Sequence, residues 1–226
     1  MNYGIPHSAS GVVAYAPADV RADFIRKVYQ LFFTSLLATV AVGAFCTQPT
    51  VLPGMLAMLP ALLIGGLIVG FIMAFARRTT GVNVALLYLY AAIQGAIVGP
   101  ILTLVERAAP GVPLQAAILT ATAFGGLSLY VLHTKKDFSY LGGMLFVSLL
   151  GLLVAGIVMF FVHIPLLSTV YSLLGVLIFC GYILYDTSVI MTRLGPEEAV
   201  AGAISLYLDF INLFWFILRL LLNSRR

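Results

Sequence analysis

Charge is scarce in this chain: Asp, Glu, Lys and Arg make up 9% of its 226 residues, where an average soluble domain carries about 25%. That is too little to cover a water-soluble globule of this size, so the surface must face lipid. Cysteine is nearly missing. Cys46 closes the first apolar run and Cys180 lies deep within the sixth, so a disulfide framework is excluded and both are expected to be small packing residues. Lysine occurs three times, as Lys27, Lys135 and Lys136, all at the edges of apolar runs, which excludes a retinal Schiff base within a span. The first 27 residues hold no short apolar core with a small-residue cleavage site, so no secretory signal peptide is expected and the first span acts as an uncleaved insertion signal. No basic patch interleaved with exposed aromatics occurs, so nucleic acid is not an expected partner.

What the chain does have is apolar length. A span needs about 20 mostly apolar residues to cross about 30 Å of hydrocarbon. Seven stretches qualify: 28–46, 56–76, 82–105, 114–132, 140–162, 166–191 and 200–222. Short connections leave no room for a soluble domain. The expected organisation is a polar, mobile N-terminal cytoplasmic tail over 1–26 and a seven-helix transmembrane domain over 27–226. The class is an all-α membrane protein, a seven-transmembrane-helix bundle. Gly66–Gly70 and Gly95–Gly99 keep the four-residue spacing that lets helix backbones approach closely, and Pro100 is expected to kink the third span.

Loop charge sets orientation. The N-terminal segment and the second, fourth and sixth connections hold eight basic residues. The remaining connections and the C-terminus hold three, Arg107, Arg225 and Arg226. The positive-inside rule places the N-terminus in the cytoplasm and, after seven spans, the C-terminus outside. With +4 net charge and no targeting peptide, the expected site is a bacterial inner (plasma) membrane.

Two acidic residues fall inside spans, Asp186 in the sixth and Asp209 in the seventh. Each costs about 2.5–3.5 kcal/mol at mid-helix on insertion scales, so such residues normally face the bundle interior and have partners. Their depths are compatible with a facing pair on consecutive antiparallel helices. Two carboxylates in one low-dielectric site do not both ionise cheaply, and a proton is then held between them. Such a pair is a latch, joined when protonated and repelling when charged. Alternatively, either Asp pairs with a basic residue and merely fixes helix register. Arg77 and Arg78 end the second span near the same level. Arg77 either turns inward as counter-ion to the pair or snorkels to headgroups, as Arg78 is expected to do; Arg219 and Glu106 are expected near the opposite interface.

The ordered segments GAIVGPIL (95–102), AAILTATAF (116–124), TKKDFS (134–139), GYILYDTSVIM (181–191) and AISLYLDFINLF (203–214) resemble the Bax inhibitor motif family. The resemblance runs from about Arg26 to the C-terminus. It implies a bundle with helix seven central. In bacterial members it further implies a pH-sensitive calcium leak, gated by an aspartate pair on helices six and seven with an arginine ending helix two. Motif by motif these fall on Asp186, Asp209 and Arg77 of this sequence. Two carboxylates fall short of the 6–8 oxygens of a tight calcium site, so Asp186 and Asp209 are expected to form only a weak transit site for calcium as transported ion, with no bound cofactor. An intramembrane aspartyl protease also uses two aspartates, but Ser-Leu-Tyr-Leu precedes Asp209 in place of the GxGD pattern, and no enzymatic activity is expected. The rival reading is a non-conducting membrane regulator. Relatives of that kind bind and restrain a membrane-anchored ATP-dependent protease complex, or act in stress and cell-death suppression.

Overall fold

The computed structural model describes residues 11–76, 82–161 and 164–225. Seven long helices account for nearly all of them: α1 (Ala18–Cys46), α2 (Leu52–Ala76), α3 (Val82–Ala108), α4 (Val112–Thr134), α5 (Gly142–Phe161), α6 (Pro165–Thr192) and α7 (Ala199–Ser224). All seven are long and apolar enough to cross a membrane, and no strand occurs among the described residues. Each apolar run read from the sequence falls on one long helix over its described residues, except that the fifth begins in the 3-10 turn Ser139–Leu141 that precedes α5. Helix α1 starts at Ala18 behind Pro17, with Asp19 in its first turn, because a carboxylate near the positive end of a helix dipole and good helix formers suffice to extend it beyond the apolar stretch. The wide apolar faces of α2 and α5, including Leu63, Ile64, Leu67, Phe146, Val154 and Ile157, are exposed, as lipid-facing surfaces must be. Helix α7 is the opposite case: most of its residues are buried, whereas almost none of α2 is.

The chain divides into two compact units. The first comprises 1–108 and 193–207, within which α3 packs on both α1 and α2. Its tightest crossing is built from glycines. A side-chain carbon at Gly95 would strike the Thr39 carbonyl oxygen, and one at Gly99 would strike the carbonyl of Gly43. Beside this crossing Thr39 Oγ1 lies 3.1 Å from the Ala91 carbonyl and 2.6 Å from the hydroxyl of Tyr207. The Tyr207 ring is fully buried and meets Tyr90 edge-on at 5.8 Å. Thus the close approach marked by the Gly95–Gly99 spacing is present, and its partner is Gly43 of α1. Gly66 and Gly70 make a looser approach, to the side chains of Ile97, Ile93 and Tyr90 of α3 rather than to its backbone.

Of the segment expected to be mobile, residues 1–10 lie outside the described residues. Residues 11–16 pack on the connection between α6 and α7. Val13 is buried, its N–H donates to the Leu194 carbonyl at 2.8 Å, and Arg21 donates to the Ala14 carbonyl.

The second unit comprises 109–192 and 208–226. Here α6 packs on α4 and α5, and the remainder of α7 lies against α6 through Phe216, whose ring presses on Gly175 and stacks on Phe179 at 5.6 Å. Cys46 and Cys180 are free thiols.

The α1–α3 crossing carries a direct prediction. Gly99→Ala must push two backbones apart and is expected to cost about 1–3 kcal/mol, read as a lower thermal midpoint of the purified protein. Gly65→Ala meets open space and is expected to leave the midpoint unchanged or raise it. Equal midpoints for the two variants would contradict this crossing.

Candidate carboxylate gate

The site is built on the pairing of α6 with the second part of α7. Ser168 meets Asn223, Gly175 meets Phe216, and Phe179 stacks on Phe216. Each step forward on α6 is a step back on α7, so the two run antiparallel. Continuing this register brings Tyr182 level with Asp209. Asp186 follows one turn later, at the same offset from Asp209 that separates the stacked Phe179 and Phe216. Tyr182 and Asp186 are four residues apart and therefore share one face of α6.

Side-chain electrostatics agree with this register: the phenol of Tyr182 lies within Coulombic reach of both Asp186 and Asp209. Both acids are withdrawn from the surface, with 9% and 3% of their areas exposed, which is where a carboxylate in a membrane helix must be if it is not to face the fatty chains. Asp186 stands six residues before the end of α6, about 9 Å along the axis, and Asp209 ten residues, about 15 Å, after the start of α7. The structure thus brings two of the three sequence-derived site residues into one unit and around one tyrosine. The third, Arg77, lies outside the described residues.

The connection between α6 and α7 is short and internally braced. Residues Pro196–Glu198 form a single 3-10 turn, and the Glu198 carboxylate accepts a 2.8 Å bond from the Gly195 N–H. On the other side, the α4–α5 connection is tied to α6. Ser188, two residues beyond Asp186, accepts a hydrogen bond from the Phe138 N–H at 2.8 Å and donates to Asp137 Oδ1 at 3.1 Å. The same Asp137 oxygen accepts from the Ser139 N–H at 2.8 Å, an Asx-type turn closing the connection. Lys135 begins it in the left-handed region at φ 53°. Sequence reasoning quoted TKKDFS and YDTS as motifs without seeing that they are two halves of one contact. It also passed over Tyr182, although the four-residue spacing of Tyr182 and Asp186 in GYILYD was the available signal.

Chemically, the arrangement holds acids and hydroxyls and no cluster for a tightly bound metal. Among the described residues no three His, Cys, Asp or Glu side chains converge.

Seven apolar helices with buried carboxylates on the last two define an integral, polytopic helical membrane protein. A family model described as "Inhibitor of apoptosis-promoting Bax1" matches residues 21–226. The chain is 36% identical over 224 residues to "Protein lifeguard 4" of Mus musculus, covering 97% of this chain and 90% of that protein. It is 35% identical over 218 residues to the "Golgi anti-apoptotic protein" of Vaccinia virus (strain Lister), covering 95% and 91%. With "Bax inhibitor 1" of Schizosaccharomyces pombe it shares 35% over 219 residues, covering 92% and 79%. The chain belongs to the Bax inhibitor-like family.

The brace at Ser188 is open to test. Ser188→Ala leaves the Phe138 N–H and the Asp137 carboxylate without this hydroxyl, and a loss of about 1–2 kcal/mol is expected, measured as a shift in thermal or denaturant unfolding. An unshifted curve would show that the connection is held by other means.

Proposed function

We propose that this protein is a pH-sensitive cation leak of its membrane, passing calcium and gated by Asp186 and Asp209. What supports this reading is that Asp186 and Asp209 are both withdrawn from the surface of one unit and both lie within Coulombic reach of the Tyr182 phenol. When a proton is held between them the helices are latched. When it leaves, two like charges in a low dielectric repel, and the pair separates. Calcium then passes the ionised carboxylates as cargo. Two carboxylates cannot supply the 6–8 oxygens of a tight cage, and weak binding suits an ion that must leave as readily as it enters. No resident cofactor and no catalytic step belong to this reading. The distribution of Lys and Arg supports an N-terminus in the cytoplasm and a C-terminus outside, and the net charge of +4 suits a bacterial inner membrane.

Conductance need not be the whole of it. The names "Golgi anti-apoptotic protein" and "Bax inhibitor 1" favour a second reading, a membrane regulator that suppresses cell death; restraint of a membrane-anchored ATP-dependent protease is the form of that reading drawn from the family resemblance alone. Calcium flux into proteoliposomes separates the two, because a pure regulator passes no ion in the absence of partners.

Two outcomes are expected from that assay. Asp186→Asn or Asp209→Asn removes the shared proton, so the pH dependence of flux over about pH 6–8 becomes flat; an unchanged profile in both variants would remove the latch. Arg77→Ala withdraws a cation that favours the ionised pair, so the midpoint moves to higher pH. A wild-type midpoint would mean that Arg77 serves the headgroups only.

A further inference from the structure

At the end of the second unit farthest from the carboxylates, α6 and α7 carry a polar cluster that the proposed gate does not use. Arg219 Nε donates to Ser168 Oγ at 3.3 Å, and its guanidinium carbon stands 5.0 Å from the centre of the Tyr171 ring. Asn223 Nδ2 donates to Ser168 Oγ at 3.0 Å and lies 3.4 Å from Ser172 Oγ. Ser172 is fully buried and spends its own proton on the Ser168 carbonyl.

The hydrogen-bond accounting is one-sided. A guanidinium has five N–H donors. One is spent on Ser168, and the four on the terminal nitrogens of Arg219 meet no acceptor among the described residues. Ser168 Oγ accepts twice, which leaves its hydroxyl proton to be donated outward. Charge is one-sided too. No carboxylate stands within ion-pair distance of Arg219 among the described residues. The acids of this unit are Asp137, Asp186 and Asp209, in the α4–α5 connection or towards the other end of the α6–α7 pair. Arg225, bonded to the Pro110 carbonyl and Gln115 Oε1, adds a second cation at this end.

Depth selects the ligand. Helix α7, with 26 residues, is about 39 Å long, against about 30 Å of hydrocarbon and 40–45 Å including headgroups. Ser168 lies three residues, about 4.5 Å, inside the start of α6, so the guanidinium bonded to it sits where hydrocarbon gives way to phosphate. Arg219 itself is rooted about 7.5 Å inside the end of α7 and sends its head outward along apolar surface, with Tyr171 as an interfacial aromatic.

We propose that Arg219, Ser168 and Asn223 form a binding site for the phosphate of a net-anionic phospholipid headgroup. A planar fork of unspent donors matches two phosphate oxygens. With no carboxylate of this unit paired with Arg219 among the described residues to receive a choline or ethanolamine cation, an anionic headgroup is preferred over a zwitterionic one. The lipid pins the α6–α7 pair at this end, whether or not the protein conducts.

The test is native mass spectrometry of the full chain in non-ionic detergent, titrated separately with phosphatidylglycerol and phosphatidylcholine. Wild type is expected to retain phosphatidylglycerol preferentially. Arg219→Gln is expected to weaken that retention roughly ten- to hundredfold, the scale of hydrogen bonds to a charged group. Arg219→Lys keeps the charge but not the fork and should fall between. Arg225→Gln, the same change of charge at a side chain bonded to Pro110 and Gln115 rather than to Ser168, should cost far less than Arg219→Gln. Ser168→Ala, which leaves the guanidinium in place, supplies the readout should Arg219→Gln fail to fold, and is expected to weaken retention as well. Equal retention of the two lipids, equal losses in Arg219→Gln and Arg225→Gln, or full retention in Ser168→Ala and Arg219→Lys would overturn the site. Displacement of the lipid by millimolar inorganic phosphate would overturn the lipid assignment in favour of a free-phosphate site.

Discussion

Two carboxyl groups held on neighbouring helices in a low-dielectric interior are the constraint around which the second unit is arranged. Asp186 and Asp209 are costly where they are, and the cost is tolerable only if they turn inward and share their charge with each other or with a partner. The register of α6 against α7 is therefore specified by chemistry as well as by the packing of Phe179, Phe216 and Gly175. Around the pair the backbone is braced by short, polar, local contacts. Ser188 joins α6 to the α4–α5 connection, and Asp137 closes that connection on the Ser139 N–H. Such bracing suits a latch, since a small displacement at the acids is resisted by neighbours with defined geometry rather than absorbed by loose packing.

The first unit is built differently. Its helices are held by glycine-to-backbone contact at Gly43, Gly95 and Gly99 and by one buried hydroxyl pair, Thr39 with Tyr207. Lipid gives helices no hydrophobic reason to associate, so close backbone approach and interhelical hydrogen bonds supply the attraction. In the second unit aromatic stacking of Phe179 on Phe216 and the bonds of Arg219 and Asn223 to Ser168 do that work instead.

Much of this was legible in the sequence because hydrocarbon simplifies the code. Seven apolar runs marked seven helices, and Asp186 and Asp209 stood out because acids are rare within such runs. Helix ends were less legible. Hydropathy began the first span at residue 28, whereas α1 begins at Ala18, since polar residues continue a helix as readily as apolar ones and only lipid contact is scored by hydropathy. Partners were least legible of all. The spacing of Gly95 and Gly99 announced a close approach but could not name Gly43. Arg219 was placed near an interface, but its bonds to the α6 serines depend on a helix register that no single-helix periodicity contains. Tyr182 was hidden by being an ordinary residue for a span.

A proton shared between Asp186 and Asp209, as proposed above, has an infrared signature. Spectra of the reconstituted protein recorded across a pH titration should show a single protonated carboxyl band that appears and disappears as one unit, and that is absent from both Asp186→Asn and Asp209→Asn. A band that survives in either variant, or two bands titrating independently in the wild type, would show that the acids are separate and would contradict the account.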